Sequence, residues 1–452
     1  MTHRSRSPLE PSPPPGKPFV PCVACVLLAV LAFSTLSGAS ACGPQQRMTF
    51  ESAAPPRAMI PGAEYEALVR YYAELCALSQ YRPLERPMGG SPGHAVLYLK
   101  GACREPDAPY PRLRRCEPTS SEIDAPDHGV GVSVNRWFRN VNWIAVPGRR
   151  LFYDGDLDAT QTLTEGRRAA VVQRAIELGL YQGIELHDYP QVGPERSLVD
   201  FVSTHSVGTD LALRFGRTTF CARLPVTEPM LEEILAFLNE LNGEYFAGTA
   251  HYNWSGYHDN CVHTLHNALA AASVWQPKSV NVVKIRQFFH LAIPANQAVD
   301  LARLVTSGPL DDFPAIYRND AHRNALLAFD WLPTRHAALL VTLPVHPENE
   351  VYDTRLRLFA LQRPFGTPLH KSALALASQE RFRSLEANLR HFIDLYDELL
   401  REGEGVDLFA FLGGDPFRMA RSRYRRYLEV QRADAAAMLA QLRGGDDATD
   451  PF

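Results

Sequence analysis

Short stretches of the chain alternate apolar and polar positions with a period of two, or are dense in Val, Leu and Phe. They predict strands at His94 to Lys100, Gly129 to Asn135 and Asn142 to Val146. A further pair, Asp210 to Phe215 and Thr218 to Leu224, flanks the Gly216-Arg217 turn. Ahead of them, Tyr65, Leu68, Val69 and Tyr72 have helical spacing, and that helix would carry Cys76. The glycine-rich turn Met88 to Gly93 would then launch the His94 strand.

Two helices are punctuated more clearly. Thr227 is a good N-cap for the stripe Leu231, Ile234, Leu235, Leu238 and Leu241, and Gly243 sits where a C-cap glycine belongs. The next helix begins at Asp259-Asn260 and runs through Cys261 to about Ser273. Beyond Pro294 the pattern predicts a hairpin (His336 to Val345, Arg355 to Leu361) and helices near Phe382 to Arg401 and Phe417 to Leu442. The fold class expected is α+β: a twisted, mainly antiparallel sheet with the Cys261 helix packed on it, plus a C-terminal, largely helical subdomain.

The first 41 residues do not follow either period. Arg4, Arg6 and Lys17 lie in a proline-rich leader, and the apolar run Phe19 to Leu36 ends in Ala39-Ser40-Ala41, the layout of a cleaved signal peptide. Residues 42–62 read as a polar tether, 63–305 as the main domain, 306–442 as the C-terminal subdomain and 443–452 as a disordered tail. Cys42 follows the cleavage site directly, as in the lipobox of bacterial lipoproteins, although Ala39 stands where a large aliphatic residue belongs. Plain cleavage and lipidation at Cys42 both stay open. The expected location is periplasmic, with the chain tethered to the membrane if Cys42 is lipidated.

The balance of 46 Lys+Arg against 50 Asp+Glu gives a net charge of −4, and removing the leader leaves 43 against 49, a net −6. No nucleic-acid partner is expected of such a surface. Five cysteines remain beyond Cys42: Cys76, Cys103, Cys116, Cys221 and Cys261. In an oxidising compartment an odd count leaves one thiol over. Cys103 and Cys116 are expected to pair across the proline-rich loop between them. Cys76 and Cys221 are a further possible pair, without geometric warrant from a helix and a strand.

Cys261 is the thiol singled out for chemistry. The first turn of a helix offers free N–H groups and partial positive charge, which favour the thiolate. His263 projects about 160° away around that helix, so the base must come from elsewhere. His94, opening a strand after a glycine-rich turn, is the expected base. His128, ahead of the next strand, is the alternative base or the group that orients it.

The stretch Gly93 to Leu99, followed much later by Phe220 to Leu224, an amphipathic helix, Tyr252-Asn253-Trp254 and Asn260-Cys261, resembles the permuted papain-like (NlpC-type) thiol hydrolases and acyltransferases. It is most similar there to the N-terminal periplasmic domain of the Lnb-type lipoprotein acyltransferases. Asn260-Cys261-Val262-His263 is also similar to the helix start of the lecithin-retinol acyltransferase group. The resemblance covers roughly residues 64–275. It implies Cys261 as nucleophile, His94 as base and acyl transfer through a thioester, with a cell-envelope lipid, lipoprotein or peptide as substrate and no cofactor.

Two other classes stand beside this reading. One is an inactive envelope scaffold of the same fold. The other is a metal-binding module using His251, His258, Cys261, His263 and His266, a set that helical geometry splits. The run Arg418, Arg421, Arg423, Arg425 and Arg426 with Tyr424 and Tyr427 is either a solvated helix face or a contact for anionic headgroups.

Overall fold

The computed structural model describes residues 63–79, 93–117, 128–187, 197–255, 259–280, 290–291, 293–306, 310–353, 375–402 and 410–447. The leader, the tether with Cys42, most of the Met88 to Gly93 turn, His258 and the Arg355 to Leu361 strand lie outside the described residues.

In chain order, α1 (Ala63–Leu68) comes before β1 (Tyr72–Leu78) and β2 (His94–Lys100). The short pair β3 (Ala102–Arg104) and β4 (Leu113–Arg115) comes before β5 (Gly129–Val134) and β6 (Trp143–Pro147). Then come α2 (Arg149–Asp154), α3 (Glu165–Glu177), α4 (Leu198–His205), β7 (Thr219–Pro225), α5 (Glu228–Phe246) and α6 (Cys261–Ala271). The remainder supplies α7 (Pro294–Thr306), α8 (Phe313–Arg318), α9 (Asp320–Phe329), β8 (Leu339–Leu343), α10 (Leu385–Glu402) and α11 (Ala410–Asp447).

Six strands form one sheet in the order β6-β5-β2-β1-β7-β8, with every neighbouring pair antiparallel. Helices cover both faces. Ala73, Leu75, Ala95, Leu97, Leu99, Val130, Val132, Ala222 and Leu224 pack with residues of α5, α6 and α7 in one core. Tyr72, Cys76, Val96, Tyr98 and Cys221, displaced by one position along the same strands, pack with α2, α3, α4, α10 and α11 in the other.

This double burial explains why Cys76 was expected on a helix and instead lies on β1. Every residue of Tyr72–Leu78 is buried, so the segment carries no polar alternation to betray its period. On β1, Cys76 stands directly opposite Cys221 of β7, and the two form a disulfide. Cys103 and Cys116 form the second, and Cys261 is the free cysteine among the described residues.

Other expectations need correction. Of the pair around Gly216-Arg217, only Thr219–Pro225 is a strand. Leu213–Phe215 is a 3-10 turn entered through Ala212 at φ 51°. Helix α5 runs through Gly243, which lies close to Tyr110, and ends at Phe246. The chain beyond residue 305 is not set apart from the sheet. β8 pairs with β7, and Leu389, Phe392, Tyr396, Tyr427 and Leu428 share the core of Tyr65, Tyr72 and Tyr98. The helix α11 continues into the expected tail as far as Asp447. In the basic run, Tyr424 and Tyr427 are buried, while Arg418, Arg423 and Arg425 pair with Asp415, Asp330 and Glu429. No helix among the described residues is long and apolar enough to cross a membrane.

Candidate thiol site

Asn260 sets the position of Cys261. Its Oδ1 accepts from the backbone N–H of Val262 at 2.8 Å and of His263 at 3.3 Å, and its Nδ2 donates to the carbonyl of Leu291 at 3.2 Å. The side chain thus caps α6 and anchors it at once, leaving Cys261 as the first helical residue. The backbone groups of Ala95, of Val262 and of Cys261 itself lie close to the sulfur and favour the thiolate, although the Val262 N–H is already engaged by Asn260. Burial outweighs them. With 8% of the residue exposed, the thiol is pushed up to about 11, so the depressed pKa expected of a helix start is corrected.

Ala95 is the residue after His94, so the start of α6 and the start of β2 meet at the sulfur. Gly93, at φ +134°, turns the chain into the strand. Alternation along β2 then sends Ala95 to the α6 face and His94 to the face of Val96 and Tyr98. There His94 Nε2 lies 2.9 Å from Ser133 Oγ on the neighbouring strand. Ser133 in turn donates to Asp210 Oδ1 at 2.6 Å, and Asn135 Nδ2 donates to Asp210 Oδ2 at 2.6 Å. All four side chains are buried.

This chain fixes the histidine tautomer. An ionised Asp210 only accepts, so the single hydroxyl proton of Ser133 goes to it, and Ser133 must accept from His94. His94 therefore carries its proton on Nε2 and its lone pair on Nδ1. Burial, with Arg217 nearby, lowers the His94 pKa to about 3. Burial raises Asp210 to about 6 against the opposing bonds from Ser133 and Asn135. The ion-pair contact between Nε2 and Asp210 Oδ1 is long, at 3.9 Å. At neutral pH the arrangement is a carboxylate, a hydroxyl and a neutral imidazole.

The structure thus brings Cys261 and His94 to one end of the sheet without a hydrogen bond between sulfur and ring. His128 is not brought there. Its carbonyl accepts from Gly101 beyond the opposite end of β2, and Gly129 pairs with Lys100, about 20 Å from His94 at roughly 3.3 Å per residue. His263 Nδ1 meets Asn260 Oδ1 at 3.1 Å. His266 is held by Gln297 and the Gln276 carbonyl and stacks on Trp275, which places both imidazoles in the packing of α6. Among the described residues, the potential ligand atoms that converge are those of Glu74, Cys76 and Cys221, and the two sulfurs are already joined.

Ser133, Asn135 and Asp210 were not singled out from the sequence. The signal for Ser133 is a lone hydroxyl in the run Gly129-Val130-Gly131-Val132-Ser133-Val134. Asp210 stands at the start of a sequence-predicted strand and carries no local mark of its partner 77 positions away. No family model, curated protein or solved structure matches the chain.

Proposed function

We propose that this protein is an exported, cysteine-dependent acyl-transfer enzyme of permuted papain-like architecture, a hydrolase or acyltransferase acting on a lipid, lipoprotein or peptide of the cell envelope. The observation that carries the reading is the position of Cys261. It is the free thiol among the described residues, at the first position of a capped helix whose start meets the start of β2, the strand that His94 opens. The leader sequence and two disulfides support export, and Cys42 is the proposed tether.

In this mechanism thiol and imidazole rest as a neutral pair. As Sγ attacks the carbonyl carbon, His94 Nδ1 takes the thiol proton, and the carbonyl π electrons move to oxygen. The backbone N–H of Cys261 receives the developing oxyanion, since those of Val262 and His263 are held by Asn260. Collapse expels the amine or alcohol, which leaves with the proton from His94, and Cys261 holds a thioester. Water, an amine or a hydroxyl then attacks the thioester, and the sulfur regains its proton. This step requires the sulfur on the α6 face and the imidazole on the other to meet around the start of β2, so the contact between Sγ and Nδ1 is one that forms only in the reacting complex.

Activated acyl esters and peptide anilides provide the test. A stoichiometric burst of leaving group, with the acyl group found on Cys261 by mass spectrometry, is expected. Cys261→Ala, His94→Ala and the double variant should lose similar amounts of turnover, because the two groups act in one step. Burial of the thiol favours a second reading, an inactive scaffold. It predicts no acylation of Cys261 by any probe and native-state resistance to small alkylating agents.

A further inference from the structure

The polar chain behind His94 has a direction, and that direction has a chemical use. Serine has one proton to give, Asp210 takes it, and Asn135 holds the far carboxylate oxygen, so Ser133 presents only lone pairs to His94. We infer that Asp210, acting through Ser133, is a positioning pair that locks His94 in the tautomer with its base at Nδ1, and that protonating Asp210 reverses the lock and switches the site off. The inference rests on the thiol reading of Cys261 for its use, but not for its geometry.

The groups facing Asp210 come from several elements. Ser133 and Asn135 come from β5 and its end, His94 from β2, Tyr181 from the loop after α3, Ser206 from the end of α4, and Arg217 from the turn before β7. Tyr252 also faces Asp210, and among the described residues no second carboxylate pairs with it, so one proton changes its state. A protonated Asp210 can donate to Ser133 Oγ, and the serine hydroxyl then turns to donate to Nε2. Nε2 must now be the acceptor, and the imidazole, still neutral after exchange with solvent, carries its proton on Nδ1, where it cannot take one from sulfur. Burial places the Asp210 transition near pH 6, within the range a periplasm can meet.

Two measurements on the full mature chain separate this inference from the reading beneath it. Long-range proton–nitrogen spectra of protein labelled with 15N-histidine, with His94 assigned by its absence in His94→Ala, read the tautomer directly. The expected result is the Nε2–H form at pH 7.5, converting to Nδ1–H as the pH falls through about 6. Ser133→Ala should abolish that conversion, and Ser133→Thr, which keeps the hydroxyl, should restore it. Asp210→Asn should hold the Nδ1–H form throughout, since its amide oxygen stays on Asn135 Nδ2, whose own oxygen is taken by Trp137, and its NH2 then donates to Ser133 Oγ as protonated Asp210 would. The acylation rate of Cys261 by an activated ester is the second readout. Ser133→Ala should lower it about 10- to 100-fold, the usual effect of losing a partner that orients a functional histidine, and Asp210→Asn should keep it at the parent's low-pH level at every pH from 5 to 8. An Nδ1–H tautomer in the native protein at pH 7.5, or a conversion unaffected by Asp210→Asn, overturns the relay. The expected tautomer with no acylation of Cys261 overturns the thiol reading and leaves the relay standing. If Ser133→Ala fails to fold, Ser133→Thr and Asp210→Asn still decide by their pH profiles.

Discussion

Two buried polar clusters lie on the same face of the sheet, four residues apart along β2, and they are built on opposite principles. Around Tyr98, Glu74 is enclosed by charge of the other sign. Arg223 reaches its Oε2 at 2.6 Å, Arg149 its Oε1 at 3.0 Å, and the Tyr153 hydroxyl donates to Oε1 at 2.5 Å. Glu66 and Lys100 extend the network, and Tyr65, Tyr72 and Tyr98 pack their rings against the guanidinium groups. Burial alone would raise the Glu74 pKa, yet the arginines and Tyr153 hold it down to about 2. Around His94, Asp210 is pushed up and His94 is pushed down, and on the other face, at the start of α6, the Cys261 thiol is pushed up as well. The first cluster is saturated and has no proton to move at neutral pH. In the second, environments drive neighbouring groups toward their neutral forms and bring one transition close to physiological pH, the mark of sites that handle protons.

The largest effect expected from breaking this comparison is at the saturated cluster. Glu74→Gln leaves buried Arg149 without its carboxylate and Arg223 with Glu66 alone, a loss of about 3–5 kcal/mol. Urea unfolding at pH 7 measures it, and a loss under about 1 kcal/mol would mean that water or rearrangement compensates the arginines. The same residue fixes one acid limb. A lowered folded-state pKa contributes stability that is present above the ordinary value of 4.5 and lost as the pH falls through about 2.

Asp210 should give the opposite sign. Its folded-state pKa is raised from 3.8 to about 6, so its contribution is fully present below 3.8 and is lost as the pH rises through about 6, a swing of about 3 kcal/mol. Asp210→Asn removes that swing. The measurement is the difference in unfolding free energy between pH 4 and pH 7.5 for variant and parent, relative to the parent's own slope. If the variant keeps the parent's slope, Asp210 is solvated or paired more strongly than its neighbours indicate.

The contrast also marks how far the sequence could be read. His94 to Lys100, the Gly129 strand, the Thr227 cap and the Asn260-Cys261 helix start were legible because each rests on local spacing and a local cap. β1 escapes the reading because both of its faces are buried, whereas β8 lies within the expected His336 to Val345 strand and only its pairing with β7, more than a hundred positions earlier, has no local mark. The same limit applied to the polar groups. Cys261 announced itself by its helix position, while Ser133 and Asp210 are defined by one another and by His94, across separations of 39 and 77 residues. The thiol pKa was misjudged for a related reason: the N–H groups at a helix start are visible in sequence, but the depth at which that helix is buried is not.

The smallest effect is expected at His128, and it tests which group orients the base. The sequence offers His128 as the alternative base or the group that orients it, and the strand register decides whether it can reach His94. The register pairs Val96 with Ser133 and Lys100 with Gly129, which puts His128 at the far end of β2 from the thiol. Its backbone carbonyl, which accepts from Gly101, survives any side-chain substitution. His128→Ala should therefore leave Cys261 acylation within about twofold of the parent at every pH, well short of the 10- to 100-fold expected for an orienting partner. Its fold should be retained, and any stability change should be that of trimming one largely buried ring. Acylation kinetics of His128→Ala and Ser133→Ala, measured side by side between pH 5 and 8, make the comparison direct. A His128→Ala variant that loses activity as Ser133→Ala does, with its thermal midpoint unchanged, would show that the base is oriented from the other end of the sheet and that the Asp210 chain serves packing alone.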